Sequence, residues 1–154
     1  MNIEIEVARS ATPEIADLLE ELNAALAGYA DEQRHALSMD QLFQPGVRFF
    51  LARSNGEAVA CGGIAFYDGY AEVKRMYSRQ SVRGKGVAKA ILQRLESEAR
   101  AAGLRLLRLE TGVYQKEALN FYEGTGFRAC GAFGAYLEMP AHAIVTSLFY
   151  EKSL

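Results

Sequence analysis

Cysteine is scarce in this 154-residue chain, and Cys61 and Cys130 are the only two. They allow no disulfide framework and form no CxxC pair, and with only two histidines beside them they cannot furnish a zinc cage. Both thiols are expected to be small buried apolar residues, and no metal is expected. Long apolar runs are missing as well. None approaches the ~20 residues needed to cross a bilayer, so no spanning helix and no membrane partner is expected. Nor is there an excess of positive charge, since 17 basic residues face 19 acidic ones for a net charge of −2. A surface built to wrap nucleic acid is excluded, and any anion site has to be local. The opening MNIEIEVARS is acidic where a signal peptide is basic and apolar, which leads us to expect a cytoplasmic protein.

What the chain has is apolar material. Half of its residues are hydrophobic, enough for one solid core, and no linker, repeat or low-complexity tract divides it. A single domain over residues 1–154 is expected. NIEIEV alternates at Ile3, Ile5 and Val7, the period of a half-buried strand. Thr12-Pro13 then supplies a helix cap and a first-turn proline ahead of the stripe Ile15, Leu18, Leu19, Leu22, Ala25, Leu26. A weaker helical pattern covers Asp31 to Phe43. The period changes to two in VRFFLARS, EAVACGGIAFY and YAEVKRMYS, separated by the turn dipeptides Asn55-Gly56 and Asp68-Gly69, which predicts a three-strand meander. Gly62-Gly63 inside the middle strand marks a bulge or a close backbone approach. Further on come a helix through Val87, Ile91, Leu92 and Leu95 that closes at Gly103, a strand LRLLRLETG, a helix from about Gln115 to Glu123, and two strands around FRACGAF and AIVTSLFYEK. A strand, a crossover helix and a strand give a right-handed parallel pair at 71–78 and 105–111. The fold class is therefore α/β (α+β), with a mixed central sheet of about seven strands.

The stretch SVRGKGVAKAIL carries the chemistry. Arg83 to Ala88 enters a helix whose first N–H groups have no intrahelical partner and whose dipole is positive there. Gly84 and Gly86 let the main chain approach a phosphate, and Arg79, Arg83, Lys85 and Lys89 add charge. A dinucleotide fingerprint would need a small residue where Lys89 stands, and no G-x-x-x-x-G-K-[ST] exists.

The run AEVKRMYSRQSVRGKGVAKAILQRLESEARAAGLRLLRLETG, followed by EALNFYEGTGF, resembles the GCN5-related N-acetyltransferases (GNAT family). RGKGVA looks like that family's acetyl-CoA pyrophosphate loop, and ALNFYEGTGF like its later A-x-x-(F/L)-Y-x-x-x-G-F helix. The likeness covers residues 57 to 130 well, and it departs from the family at Ser78 and Ser81. It implies the GNAT fold with helices on both faces of the sheet, acetyl-CoA as co-substrate, and acetylation of an amine. It also implies that the cofactor is held by Arg83, Gly84, Lys85, Gly86, Val87 and Ala88, by an exposed strand edge at Met76, Tyr77 and Ser78, and by Gln115.

Acetyl transfer from a thioester to an amine needs a base for the ammonium proton and an acid for the departing thiolate. The resemblance puts Tyr122 in the place of the acid. It puts Glu72 in that of the base, sharing a strand face with Lys74 and Met76 by alternation, with Glu110 in reserve. The acceptor walls are expected from Tyr29 to Phe43 and from Phe133 to His142, where Asp31, Glu32 and Glu138 could meet a cation. A small-molecule amine such as an amino acid or polyamine is the favoured partner. A peptide or protein acceptor, or acyl-CoA binding without turnover, stays open, as does a homodimer.

Overall fold

The computed structural model describes residues 2–154. Seven strands, β1 (Ile3–Ala8), β2 (Val47–Ser54), β3 (Glu57–Tyr67), β4 (Tyr70–Ser78), β5 (Leu106–Gly112), β6 (Arg128–Cys130) and β7 (Ser147–Ser153), form one sheet in the order β1-β2-β3-β4-β5-β7-β6. The helices are α1 (Pro13–Ala25), α2 (Met39–Leu42), α3 (Val87–Ala101), α4 (Lys116–Gly124) and α5 (Ala141–Ile144). Alternation along β2 divides the core between the two faces. Phe50 and Ala52 meet Ile91, Leu92 and Leu95 of α3, and Phe49 and Leu51 meet Ile15, Leu18 and Leu19 of α1. The sheet is mixed, with β4 and β5 as its parallel pair.

Local chemistry explains most boundaries. Thr12 Oγ1 accepts from the Ile15 N–H at 3.3 Å and Pro13 opens α1. At Asn55-Gly56 both residues have positive φ, 53° and 84°, as a two-residue hairpin turn requires. Two expectations need correction. The helix predicted over 31–43 is only a 3₁₀ turn at Asp31–Gln33 and the four-residue α2. The Arg34 guanidinium donates to the Tyr29 carbonyl at 3.1 and 2.8 Å, and Ser38 and Gln41 cap each other, which starts a new helix rather than continuing an old one. The two final strands are also shorter than predicted. Phe133 and Tyr136 bury their rings against Phe149, which holds the intervening chain off the sheet as a 3₁₀ stretch followed by α5.

The feature that positions the site lies in β4. Cys61 pairs with Tyr77 and Gly63 with Lys74, so Gly62 alone faces Arg75 and Met76. This is a β-bulge, with Arg75 at φ 54°. It shifts the side-chain parity. Ala71 and Val73 pack toward α3, Arg75 reaches Asn23 on α1, and Met76 returns to the α3 side. The expectation that Met76 shares a face with Glu72 and Lys74 is thus corrected, because an inserted residue breaks the period of two. Beyond the bulge the sheet opens. β4 and β5 pair only at Ala71↔Leu107 and Glu72↔Arg108, while β5 pairs with β7 along its whole length. From Val73 onward, among the described residues, no strand lies beside this edge of β4.

Candidate active site

The glycine turn stands at the open end of β4. Gly84 and Gly86 have φ of 76° and 82°, left-handed conformations that favour glycine. A Cβ built on either would meet nothing within 4 Å, so the space over the turn is free for a ligand. The first helical bond of α3 runs from the Ala90 N–H to the Gly86 carbonyl at 3.0 Å, leaving the N–H groups of Val87, Ala88 and Lys89 without a helical acceptor. Val87 thus combines a main-chain donor with a side chain fully buried in the core, while Ala88 is half-buried. The cations are distributed less simply than predicted. Lys85 and Lys89 are exposed. Arg83 donates from Nε to the Ser78 carbonyl at 3.0 Å and pairs with Glu117. Arg79 is turned away, held by Glu21 at 3.0 Å and by Glu57, so it is removed from the set of loop cations.

Where β4 and β5 part lies a cavity of about 140 Å³. It brings together Glu72, Met76, Glu110, Gln115 and Tyr122, which stand far apart in the sequence. Ala118, one turn before Tyr122 on α4, lines it too. Tyr122 is only 7% exposed, and burial holds its phenol above the usual tyrosine range. Gln115, at the start of α4, accepts from Tyr29 Oη at 3.2 Å, and the same hydroxyl accepts from the Tyr114 N–H at 2.9 Å. Gly112 is required here, because a Cβ would run into the Tyr29 ring. Tyr77 points to α1, donating to Glu21 at 3.1 Å, so its contribution to the open edge is main chain only.

The two carboxylates differ. Glu72, 3% exposed, accepts from Tyr136 Oη at 2.6 Å and pairs with Lys74 Nζ at 2.8 Å, and Lys74 also donates to Tyr136 Oη at 2.9 Å. The triangle closes on itself, with the Lys74 ammonium answering the Glu72 charge. Glu110 has one fixed donor, Ser147 Oγ at 2.6 Å. Burial raises its pKa above the ordinary 4.5, and the Ser147 bond and the fields of His35 and Lys74 only partly oppose this. Of the predicted acceptor walls, Tyr29 and His35 line the cavity, and the His35 ring makes a 2.7 Å contact from Nε2 to the Ala143 carbonyl. Asp31, Glu32, Glu138 and His142 are exposed and do not line it. Sequence reasoning missed Arg75 and Tyr136. The adjacent cations in AEVKRMYS signal Arg75, since they break the alternation. Nothing local marks Tyr136, 64 residues from Glu72.

The model of the acetyltransferase (GNAT) family matches residues 14–127. The IAA acetyltransferase of Azospirillum brasilense is 43% identical over 143 residues, covering 91% of this chain and 90% of that protein. A solved acyl-CoA N-acyltransferase structure from Klebsiella pneumoniae subsp. pneumoniae superposes with a TM-score of 0.79 at 31% identity, over 99% of this chain and 97% of the other. A GNAT family acetyltransferase from Elizabethkingia anophelis with acetyl-CoA bound shares the fold, with a TM-score of 0.72 at 22% identity over 99% of both chains. The chain belongs to the acetyltransferase (GNAT) family. It is an acyltransferase, of a class whose co-substrate is acetyl-CoA.

Proposed function

We propose that the protein is an N-acetyltransferase that takes acetyl-CoA and acetylates a primary amine of a small molecule by direct attack. One observation carries the reading: the unpaired edge of β4 runs from the glycine turn straight into the cavity that holds Glu110 and Tyr122. The turn at 84–89 fits a diphosphate, offering N–H donors with no Cβ in the way. The main chain of Met76, Tyr77 and Ser78 fits an extended amide chain, which it would pair as an added strand. Bound there, acetyl-CoA supplies the acetyl thioester at the cavity.

The chain's own groups then divide the proton work. Glu110 takes the proton of the incoming ammonium, since burial has raised its affinity and, among the described residues, no cation is paired with it. Glu72 is fixed to Lys74 and Tyr136 and shapes the wall. Tyr122 stays protonated at neutral pH and delivers that proton to the departing sulfur. The cavity, lined by Leu22, Leu26 and Tyr29, suits a small acceptor. Thiol release from acetyl-CoA, followed over a panel of small amines, polyamines and lysyl peptides, tests the reading. Turnover of small amines is expected. Turnover confined to peptides, or none with any amine, overturns it.

A further inference from the structure

Tyr29 is held from both ends. Its carbonyl accepts from the Arg34 guanidinium at 3.1 and 2.8 Å, and its ring lies over Gly112, where a Cβ would overlap it. Its hydroxyl accepts from the Tyr114 N–H at 2.9 Å and donates to Gln115 Oε1 at 3.2 Å. The side chain thus reaches from the segment after α1 to the turn between β5 and α4, 86 residues further along the chain.

These bonds decide which way the Gln115 amide is turned. A peptide N–H can only donate, so the phenol oxygen accepts from Tyr114 and its own proton needs an acceptor. Of the two ends of a primary amide, only the oxygen accepts. With the amide reversed, the phenol would take two donors, and its O–H, in a residue 5% exposed, would be left without a partner. Burial also holds this phenol above the usual tyrosine range, so the proton stays on it. Nε2 is the end left over. Among the described residues nothing accepts from it, and it is not one of the unpartnered nitrogens that the protein encloses. Gln115 lines the cavity on its α4 side, and the free donors of its amide suit a carbonyl oxygen.

A chain laid along β4 supplies one. An extended amide chain that pairs with Met76, Tyr77 and Ser78 through one edge keeps carbonyl oxygens on its other edge. That other edge faces the opening where, among the described residues, no strand answers it. We infer that Tyr29 is a positioning residue for the cofactor, turning Gln115 so that Nε2 donates to a pantetheine carbonyl of coenzyme A on the edge that β4 does not pair. This rests on the acetyl-CoA site proposed above.

A double-mutant cycle on coenzyme A binding, read by calorimetry, tests it. Tyr29→Phe keeps the ring over Gly112 and loses the hydroxyl, while Gln115→Met keeps the length of the side chain and loses the amide. Each should weaken coenzyme A about 3–10-fold, the worth of one neutral hydrogen bond. In Gln115→Met, adding Tyr29→Phe should cost nothing more, because no amide is left to turn. KM for acetyl-CoA should rise by the same factor in each single variant, with kcat within about twofold, since neither group touches the acetyl end. In the wild type, the side-chain NH2 resonances of Gln115, assigned by their loss in Gln115→Met, should move when coenzyme A is added. Equal losses from Tyr29→Phe with and without the Gln115 amide make the tyrosine a packing residue and overturn the inference. Wild-type affinity in Gln115→Met overturns it too, as does an NH2 pair that ignores coenzyme A, and these two results decide the matter even if Tyr29→Phe does not fold. In all three cases the acetyl-CoA site still stands if the wild type binds coenzyme A. If the wild type does not bind it, that site fails and the inference falls with it.

Discussion

Tyr122 and Glu110 are both buried proton carriers, and burial moves their affinities the same way with opposite consequences. For Tyr122 the upward shift fixes the phenol in its protonated form, ready to give a proton. Tyr122→Phe keeps the ring against Phe127 and removes only the hydroxyl. It should lower kcat by about 10²–10⁴ with little change in acetyl-CoA affinity, as loss of a general acid does. An unchanged kcat would make the tyrosine a packing residue. For Glu110 the raised pKa creates a base that titrates above 4.5. The rising limb of kcat/KM with pH should follow that group, and Glu110→Gln should abolish the limb and reduce kcat/KM by about 10²–10³. The sign for stability is the reverse of the usual carboxylate case. The folded state binds the proton more tightly than the unfolded one, so stability is lost as pH rises from 4.5 through the folded value. Glu110→Gln should therefore melt higher than the wild type at pH 7.5, with the gap closing at pH 4. The neutral amide losing stability at pH 7.5 would show that the carboxylate is charged and well satisfied. Cys61 fits the same picture of a dry interior, its thiol pushed up to about 12 by burial while it donates to the Arg75 carbonyl at 3.4 Å.

At the scale of elements, β4 decides the site, and Gly62 decides β4. A Cβ on Gly62 would come within 2.5 Å of Met76 Sδ and 2.7 Å of Ile91 Cγ2. Met76 can bend away, but Ile91 is fully buried in α3. Gly62→Ala should cost about 1–3 kcal/mol in urea denaturation, as overpacking does, and should raise KM for acetyl-CoA by disturbing the strand edge. A neutral effect on both would mean that the bulge tolerates a side chain. Much of this element was legible beforehand. The period of two, the turn dipeptides and the glycine pair predicted the meander and its irregularity, and the glycine turn predicted the start of α3. The parity beyond the bulge was not legible. Whether Arg75 or Met76 faces α1 depends on where one residue is inserted, and period counting carries no such information. The 31–43 segment misled for a related reason, since its weak helical stripe is overridden by the Arg34 and Ser38 hydrogen bonds. The Glu72–Lys74–Tyr136 triangle needs a chain reversal through β5 and α4 to exist at all.

The whole molecule is two sheet halves that share a narrow seam. β1 to β4 form one, β5, β7 and β6 the other, and only two residue pairs join them. Much of the remaining connection is the core under the sheet, where Ile91 and Leu95 of α3 meet Leu107 and Leu109 of β5. A ligand lying along β4 and reaching α4 would add a bridge at the place where strand hydrogen bonds are missing. Coenzyme A at about 100 times its Kd should add about 2.7 kcal/mol to stability, and thus raise the melting temperature by about 5–10 °C for a chain of this size. NAD at the same concentration should not. The location of the effect is the sharper test. Deuterium uptake should slow on adding coenzyme A at the amides of 73–78 and 84–89, while β1 and β2, already paired within their half, should exchange as before. Protection that avoids β4 and gathers at the outer strands would place the ligand elsewhere, and the opening between β4 and β5 would then be only a gap in the sheet.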